Sequence, residues 1–305
     1  MIERPTVLIL GAGASLPSGY PLGEGLVKGI VHLTAPNQEL YQVLIKHPQL
    51  ASVIGDFARR LADSDTASID DFLESNPNFA EIGKLAIAAQ LSIWGPGPTA
   101  GLPEFAWYRY LWRLLHQGAP TVEAFRQNRL KVITYNYDRS LERYLMRVLH
   151  HNYPELAKDG NATVQTQAEA VPVVHLHGSL GVASDEIFFA PDRAQYKELA
   201  ALRHIAAGIR IVHEEQLSEE YATAHAWLKE ATVICFLGFG YHPTNLKRLD
   251  VLEQIHGRPG VFVGGSAYGM GHAEVTRAEA ALKLGSGILK GGVHALDYLR
   301  EWAPL

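Results

Sequence analysis

One cysteine, Cys235, stands among 305 residues. It lies in Ala231-Thr-Val-Ile-Cys-Phe-Leu237, where a lone Cys reads as a small core residue. A single thiol excludes an intramolecular disulfide and a four-cysteine zinc ribbon, and it points to a reducing, cytoplasmic compartment. No apolar run is long enough to span a bilayer as a helix. Neither sign of charge dominates: 27 Lys and Arg against 32 Asp and Glu give a net −5. That is a solubility charge and not a nucleic-acid footprint. The basic cluster from Arg139 to Arg147 is interspersed with acidic and apolar residues, as on a solvated helix face. Direct partners among nucleic acids or membranes are therefore not expected. Tandem repeats and low-complexity tracts are absent. Met1-Ile-Glu-Arg-Pro5 leads into a strand within a few residues, so no signal peptide is expected there.

What is present is a large apolar fraction, 47%, arranged in short blocks. Thr6–Leu10 is a continuous apolar run of strand length ended by glycine, the pattern of a strand buried on both faces of a parallel sheet. Similar runs occur at Lys131–Thr134, Val171–Leu176, Thr232–Leu237 and Gly260–Val263. Helical periodicity covers Leu22–Thr34, Leu40–Leu61, Phe79–Trp94, Glu104–His116, Arg139–His151, Arg193–Ala207, Ser218–Lys229 and Ala273–Leu284. Strands alternating with helices predict an α/β doubly wound parallel sheet. About 120 residues separate the first two strands, and nearly all of them read as helix. The spacing predicts one domain, 1–305, in which a helical insertion subdomain of approximately 22–128 packs beside a core formed by 1–21 and 129–305. A cleft is expected between the two. Within the insertion, Ser68-Ile-Asp-Asp-Phe-Leu-Glu74 begins with a good N-cap, Ser68, with Asp71 at N3. Gly95-Pro-Gly-Pro98 predicts a surface turn.

Four motifs each follow a strand. In the first, Gly11, Ala12, Gly13 and Ser15 form a glycine-rich turn whose backbone N–H groups suit a phosphate. Leu16 stands where a dinucleotide fingerprint has its third glycine, and a turn without a ligand is the alternative. The second, Thr134-Tyr-Asn-Tyr-Asp138, ends a strand and starts a helix. Asn136 suits the orienting of a water or a ribose hydroxyl. Asp138 suits a carboxamide N–H or developing positive charge, or is simply an N-cap. In the third, His175-Leu-His-Gly-Ser179, two imidazoles share a face if the strand continues. His177, before Gly178, is placed to face a cleft, and histidine is a natural base near neutral pH. His175 reads as a hydrogen-bonded structural residue. No third ligand lies at a recognisable spacing, so no metal is expected. The fourth, Leu237-Gly-Phe-Gly240, suits packing of Gly238, Phe239 and Gly240 against the adenosine half of a dinucleotide, or is another glycine-rich turn.

The order of these motifs resembles the sirtuin family, whose members carry a Gly-Ala-Gly-x-Ser loop, a Thr-Gln-Asn-x-Asp loop and a catalytic His-Gly. The resemblance covers residues 6 to about 265, loosely in the insertion. It implies a Rossmann-like core and NAD as substrate. It also implies catalytic roles for Asn136, His177 and Asp138, with Gly11, Ala12, Gly13, Ser15, Tyr135, Gly178, Gly238, Phe239 and Gly240 binding the dinucleotide. The departures are specific. Tyr135 replaces the usual Gln, and Ser18-Gly-Tyr-Pro-Leu-Gly-Glu24 stands where deacylases have Ser-Gly-Ile-Pro-Asp-Phe-Arg. The zinc ribbon of the acyl-lysine groove is impossible with one Cys. A NAD pocket without a peptide clamp is similar to the bacterial sirtuin-like effectors of antiphage defence, which hydrolyse NAD to nicotinamide and ADP-ribose. Ser68–Glu74 also resembles a segment of those effectors. The likeness implies control by homo-oligomerisation, a partner ATPase or an Argonaute-like activator. Rival readings are a dehydrogenase, an ADP-ribosyltransferase or deacylase, and a non-catalytic subunit binding NAD or ADP-ribose.

Overall fold

Short Val-, Ile- and Leu-rich runs pair into one parallel sheet. In the computed structural model, which describes residues 1–94, 106–181, 198–211 and 218–305, the strands are β1 (Thr6–Leu10), β2 (Leu130–Thr134), β3 (Val173–His175), β4 (Val233–Leu237), β5 (Phe262–Ala267) and β6 (Leu289–Gly291). All ladders are parallel, in the order β3-β2-β1-β4-β5-β6. This is the doubly wound, Rossmann-like arrangement, and the strand order reverses between β1 and β4. Every residue of β1 and β4 is buried, as helices on both faces require. Leu10 pairs with Thr134 on one side and Leu237 on the other, and Thr134 pairs with His175. The four motifs therefore leave the sheet side by side at its carboxyl edge.

Among the described residues, the apolar side chains form three cores. One sheet face buries Leu8, Val132 and Cys235 against the helices Ala106–His116 and Ser140–Asn152. The other buries Ile9, Ile133 and Phe236 against Glu219–Glu230, Pro243–Leu249 and His272–Leu282. A third core lies within the helical layer, where Phe57, Phe72 and Phe79 cluster at centroid distances of 5.6–6.0 Å. Within the expected insertion, Trp107, Leu111 and Phe125 join the sheet core. Conversely, Leu202, Ile205 and Ile209, far along the chain, complete the helical core.

Several local expectations change. The helix expected over Leu40–Leu61 is two, Glu39–Leu44 and Pro48–Asp63. Pro48 has no N–H and disfavours helical geometry in the residue before it, and His47 is extended at φ −113°, ψ 109°. β5 starts later and runs further than the expected Gly260–Val263, passing through Gly264 and Gly265, where the Tyr298 and Tyr241 hydroxyls occupy the space of a side chain. The helices Gly160–Ala170 and Ala295–Glu301 and the strand β6 go beyond the elements that the sequence pattern marks. The turn expected at Gly95–Pro98 and the first residues of the helices expected from Glu104 and Arg193 lie outside the described residues. Among the described residues, no helix is long and apolar enough to cross a membrane.

Candidate active site at the carboxyl edge

The loops after β1 and β4 interlock. Gly11 N–H donates to the Leu237 carbonyl and Gly13 N–H to the Gly238 carbonyl. A Cβ on Gly11 would come within 2.8 Å of Gly238 O and Phe239 Cα, and one on Gly13 within 2.9 Å of Gly238 Cα. Gly238 has φ +57°, and a Cβ there would collide with Ala14 N. These glycines thus face the neighbouring loop. Ala12 begins a short helix, Ala12–Ser15, tied down by Trp107 Nε1, which donates to Ala14 O at 2.9 Å.

Asn136 is fixed from every side but one. Its N–H donates to Thr134 Oγ1 at 3.0 Å. Its Nδ2 donates to Gly11 O at 3.0 Å and to Ser15 Oγ at 2.9 Å. A carbonyl oxygen only accepts, so the Gly11 contact settles which amide atom is nitrogen. Both amide hydrogens are consumed, and Oδ1 remains as an acceptor. The Asn136 carbonyl takes a hydrogen bond from His175 Nδ1 at 2.8 Å, and His175 Nε2 meets Glu142 at 2.9 Å. Both ring nitrogens face acceptors, an arrangement that favours the doubly protonated imidazole. Burial opposes this, but the Glu142 carboxylate and the Asn136 carbonyl raise the pKa of His175. Burial likewise opposes ionisation of Glu142, yet His175 and then Arg139 lower its pKa to about 2.

The two histidines part company. β3 ends at His175, and Gly178 turns the chain at φ +71° against Gly208. His175 therefore points to the helix Ser140–Asn152, while His177 packs beside the Tyr135 and Tyr137 rings at centroid distances of 5.3 and 6.2 Å. The shared face expected for the pair is lost because the strand does not continue. His177 is buried, its Nδ1 is 3.3 Å from Asp70 Oδ1, and its Nε2 has no hydrogen-bond partner. The Tyr137 hydroxyl donates to the same Asp70 oxygen. Burial works to raise the pKa of Asp70, but the His177 and Tyr137 contacts prevail and hold its carboxyl below the ordinary range. Asp138 accepts from Ser140 N at 3.0 Å and from the Ser140 hydroxyl, one residue ahead of the N-cap. Burial pushes its carboxyl upward, against hydrogen bonds from Ser140 and Ser15.

A cleft of about 510 Å³ opens between the helical layer and these loops, lined among others by Ala12, Ser15, Asp70, Tyr135, Asn136 and Asp138. Five sequence candidates thus line one cleft: Ala12, Ser15, Tyr135, Asn136 and Asp138. Gly11, Gly13, Gly178, Gly238, Phe239 and Gly240 do not line it, and His177 stands behind Asp70. A hollow of about 640 Å³ at the opposite edge, near Lys131, Trp227 and Glu230, lies at the strand starts. Ligands of such sheets bind beyond the carboxyl ends, at the reversal of strand order, so the first cleft is the candidate site. Sequence reasoning assigned no role to Asp70 or Glu142. Two adjacent acids in one first turn, where capping needs one, and an acid amid the apolar positions of a basic helix were the signals available. Among the described residues, no group of three or more His, Cys, Asp or Glu is arranged to hold a metal ion. Comparison with models of known protein families gives no match, and no match is found among curated proteins.

Proposed function

We propose that this chain is a sirtuin-like NAD glycohydrolase, a cytoplasmic enzyme that cleaves the nicotinamide–ribose bond to give nicotinamide and ADP-ribose. One arrangement carries the reading: Asn136 lines a cleft at the reversal of strand order with both amide hydrogens committed to the Gly11–Ser15 loop, which leaves Oδ1 as its spare acceptor. Such an acceptor orients a water or a ribose hydroxyl and does not compete as a donor.

The reaction is NAD plus water giving nicotinamide, ADP-ribose and a proton. Water adds to C1′ of the nicotinamide ribose. The C1′–N bond breaks, and its electron pair neutralises the pyridinium, so nicotinamide leaves without a proton. Asn136 Oδ1 would hold the water, and His177 Nε2, which is buried and unpaired here, would take its proton once water reaches it. Asp138 would accept from the carboxamide N–H, and Ala12 and Ser15, on the cleft wall, would adjoin the diphosphate. In this reading the protein depletes NAD in antiphage defence. Homo-oligomerisation, a partner ATPase or an Argonaute-like protein would raise it from a low basal rate to full activity.

The test is incubation with NAD, following nicotinamide and ADP-ribose by chromatography, with Asn136→Ala and His177→Ala alongside. Cleavage by the wild type and by neither variant is the expected result. Cleavage surviving in either variant overturns its assignment. Absence of cleavage together with no NAD-dependent rise in Tm overturns the reading.

A further inference from the structure

We propose that Asp70, carried by the helical layer, is a positioning residue that sets the tautomer of His177, so that the base is completed only when the helix Ile69–Ser75 is seated against the sheet. The proposal rests on the reading of His177 as base. It names a residue from the insertion, a part of the chain to which the Asn and His motifs do not extend.

The chemistry follows from donors and acceptors. An ionised carboxylate only accepts, and Asp70 Oδ1 lies 3.3 Å from His177 Nδ1. The hydrogen of a neutral imidazole is therefore held on Nδ1, and the lone pair on Nε2. That nitrogen is the one left buried and without a partner. Asp70 is itself oriented, because the Tyr137 hydroxyl donates to the same oxygen. A carboxylate on one imidazole nitrogen with the other free is the orienting logic of nucleophile–base–acid triads.

The helix that brings Asp70 is seated by charge. Asp71 lies 3.3 Å from His242 Nε2, and Glu74 pairs with Arg248. Three acids of one short helix thus meet His177 after β3, and His242 and Arg248 after β4. Of the three contacts, the Asp71 pair is the most exposed and the Asp70 and Glu74 pairs are more enclosed. Displacement of this helix would remove the orienting carboxylate while leaving Asn136 in place, since Asn136 is held by the β1 loop and by His175.

Two measurements on the full chain test this. The first needs no NAD: nitrogen NMR of ¹⁵N-histidine-labelled protein reads the His177 tautomer directly. The wild type is expected to carry Nδ1–H, and Asp70→Asn to populate Nε2–H, because the amide can donate to Nδ1. Glu74→Gln, which loosens the seating of the same helix at Arg248, should shift the His177 signal in the same direction and by less. The second is steady-state NAD cleavage. Asp70→Asn is expected to lower kcat about 100-fold or more, in the range of general-base losses, with KM within about 3-fold. An unchanged tautomer in Asp70→Asn overturns the proposal. A kcat that is unchanged or raised does so too, and a raised value would identify Asp70 as a block on His177. If the wild type cleaves no NAD, the tautomer still decides the Asp70–His177 relationship, and the glycohydrolase reading is judged separately by whether NAD raises Tm.

Discussion

Glu142 and His175 form a buried ion pair at 2.9 Å directly beneath the loop that carries Asn136. Removing one partner of such a pair leaves an uncompensated buried charge, which costs about 3 kcal/mol or more. Glu142→Ala is therefore expected to lower stability by about 3 kcal/mol, measured by denaturant unfolding. The pH dependence has a definite sign. Glu142 has a depressed pKa, so its contribution is present above the ordinary value of 4.5 and fades as pH falls toward about 2. His175 has a raised pKa, so its contribution is full below the ordinary value of 6.5 and fades as pH rises through the raised one. The difference between wild type and variant should be greatest between pH 4.5 and 6.5 and shrink on both sides. A difference that is flat with pH would contradict the pairing.

The glycines of the β4 loop should respond unequally. Gly238 has φ +57° and no room for a Cβ beside Ala14, so Gly238→Ala combines backbone strain with a collision. A loss of at least about 2 kcal/mol is expected, together with disturbance of the Gly11–Ser15 loop. Gly240, two residues on, is exposed, and a methyl group added there would meet nothing within 4 Å, so Gly240→Ala should shift Tm little. Equal effects on Tm would show that loop packing is not what distinguishes the two positions.

The parallel sheet was legible because strands buried on both faces are spelled as uninterrupted apolar runs, as at Thr6–Leu10 and Val233–Leu237. β6 was not, since Leu289–Gly291 carries one buried side chain and is defined by pairing with Gly265–Ala267. Helix Gly160–Ala170 escaped for a related reason: its buried positions include Thr163, Thr166 and Gln167, which a hydrophobic pattern does not count. At the cleft, Asn136 and Asp138 could be named because they lie in a compact motif after a strand. Asp70 could not be linked to His177, because the two are 107 positions apart in sequence and meet only when the helical layer is seated on the sheet. Glycines mislead in a different way. Gly11 and Gly13 look like room for a phosphate, yet the space they leave is filled by Gly238 and Phe239.

Asn136 offers the sharpest test of how the loop and the cleft are coupled. Asn136→Asp keeps the shape and an oxygen toward the cleft, but a carboxylate cannot donate to Gly11 O, which lies 3.0 Å from the present Nδ2. Two acceptors would then face each other in a half-buried place, and about 1–3 kcal/mol of stability should be lost. Ser15→Ala leaves the Gly11 bond intact but takes the Ser15 hydroxyl away from both Asn136 Nδ2, at 2.9 Å, and Asp138, so about 1 kcal/mol should be lost for each bond. On the proposed reaction, Asn136→Asp should also reduce NAD cleavage more than Ser15→Ala does, because it puts a charge on the group that holds the water and disturbs the loop as well. Tm and single-turnover nicotinamide release, measured on both variants, decide the point. If Ser15→Ala proves the more damaging of the two in both measurements, the loop's anchor is the Ser15 hydroxyl, and Asn136 is a passenger in it.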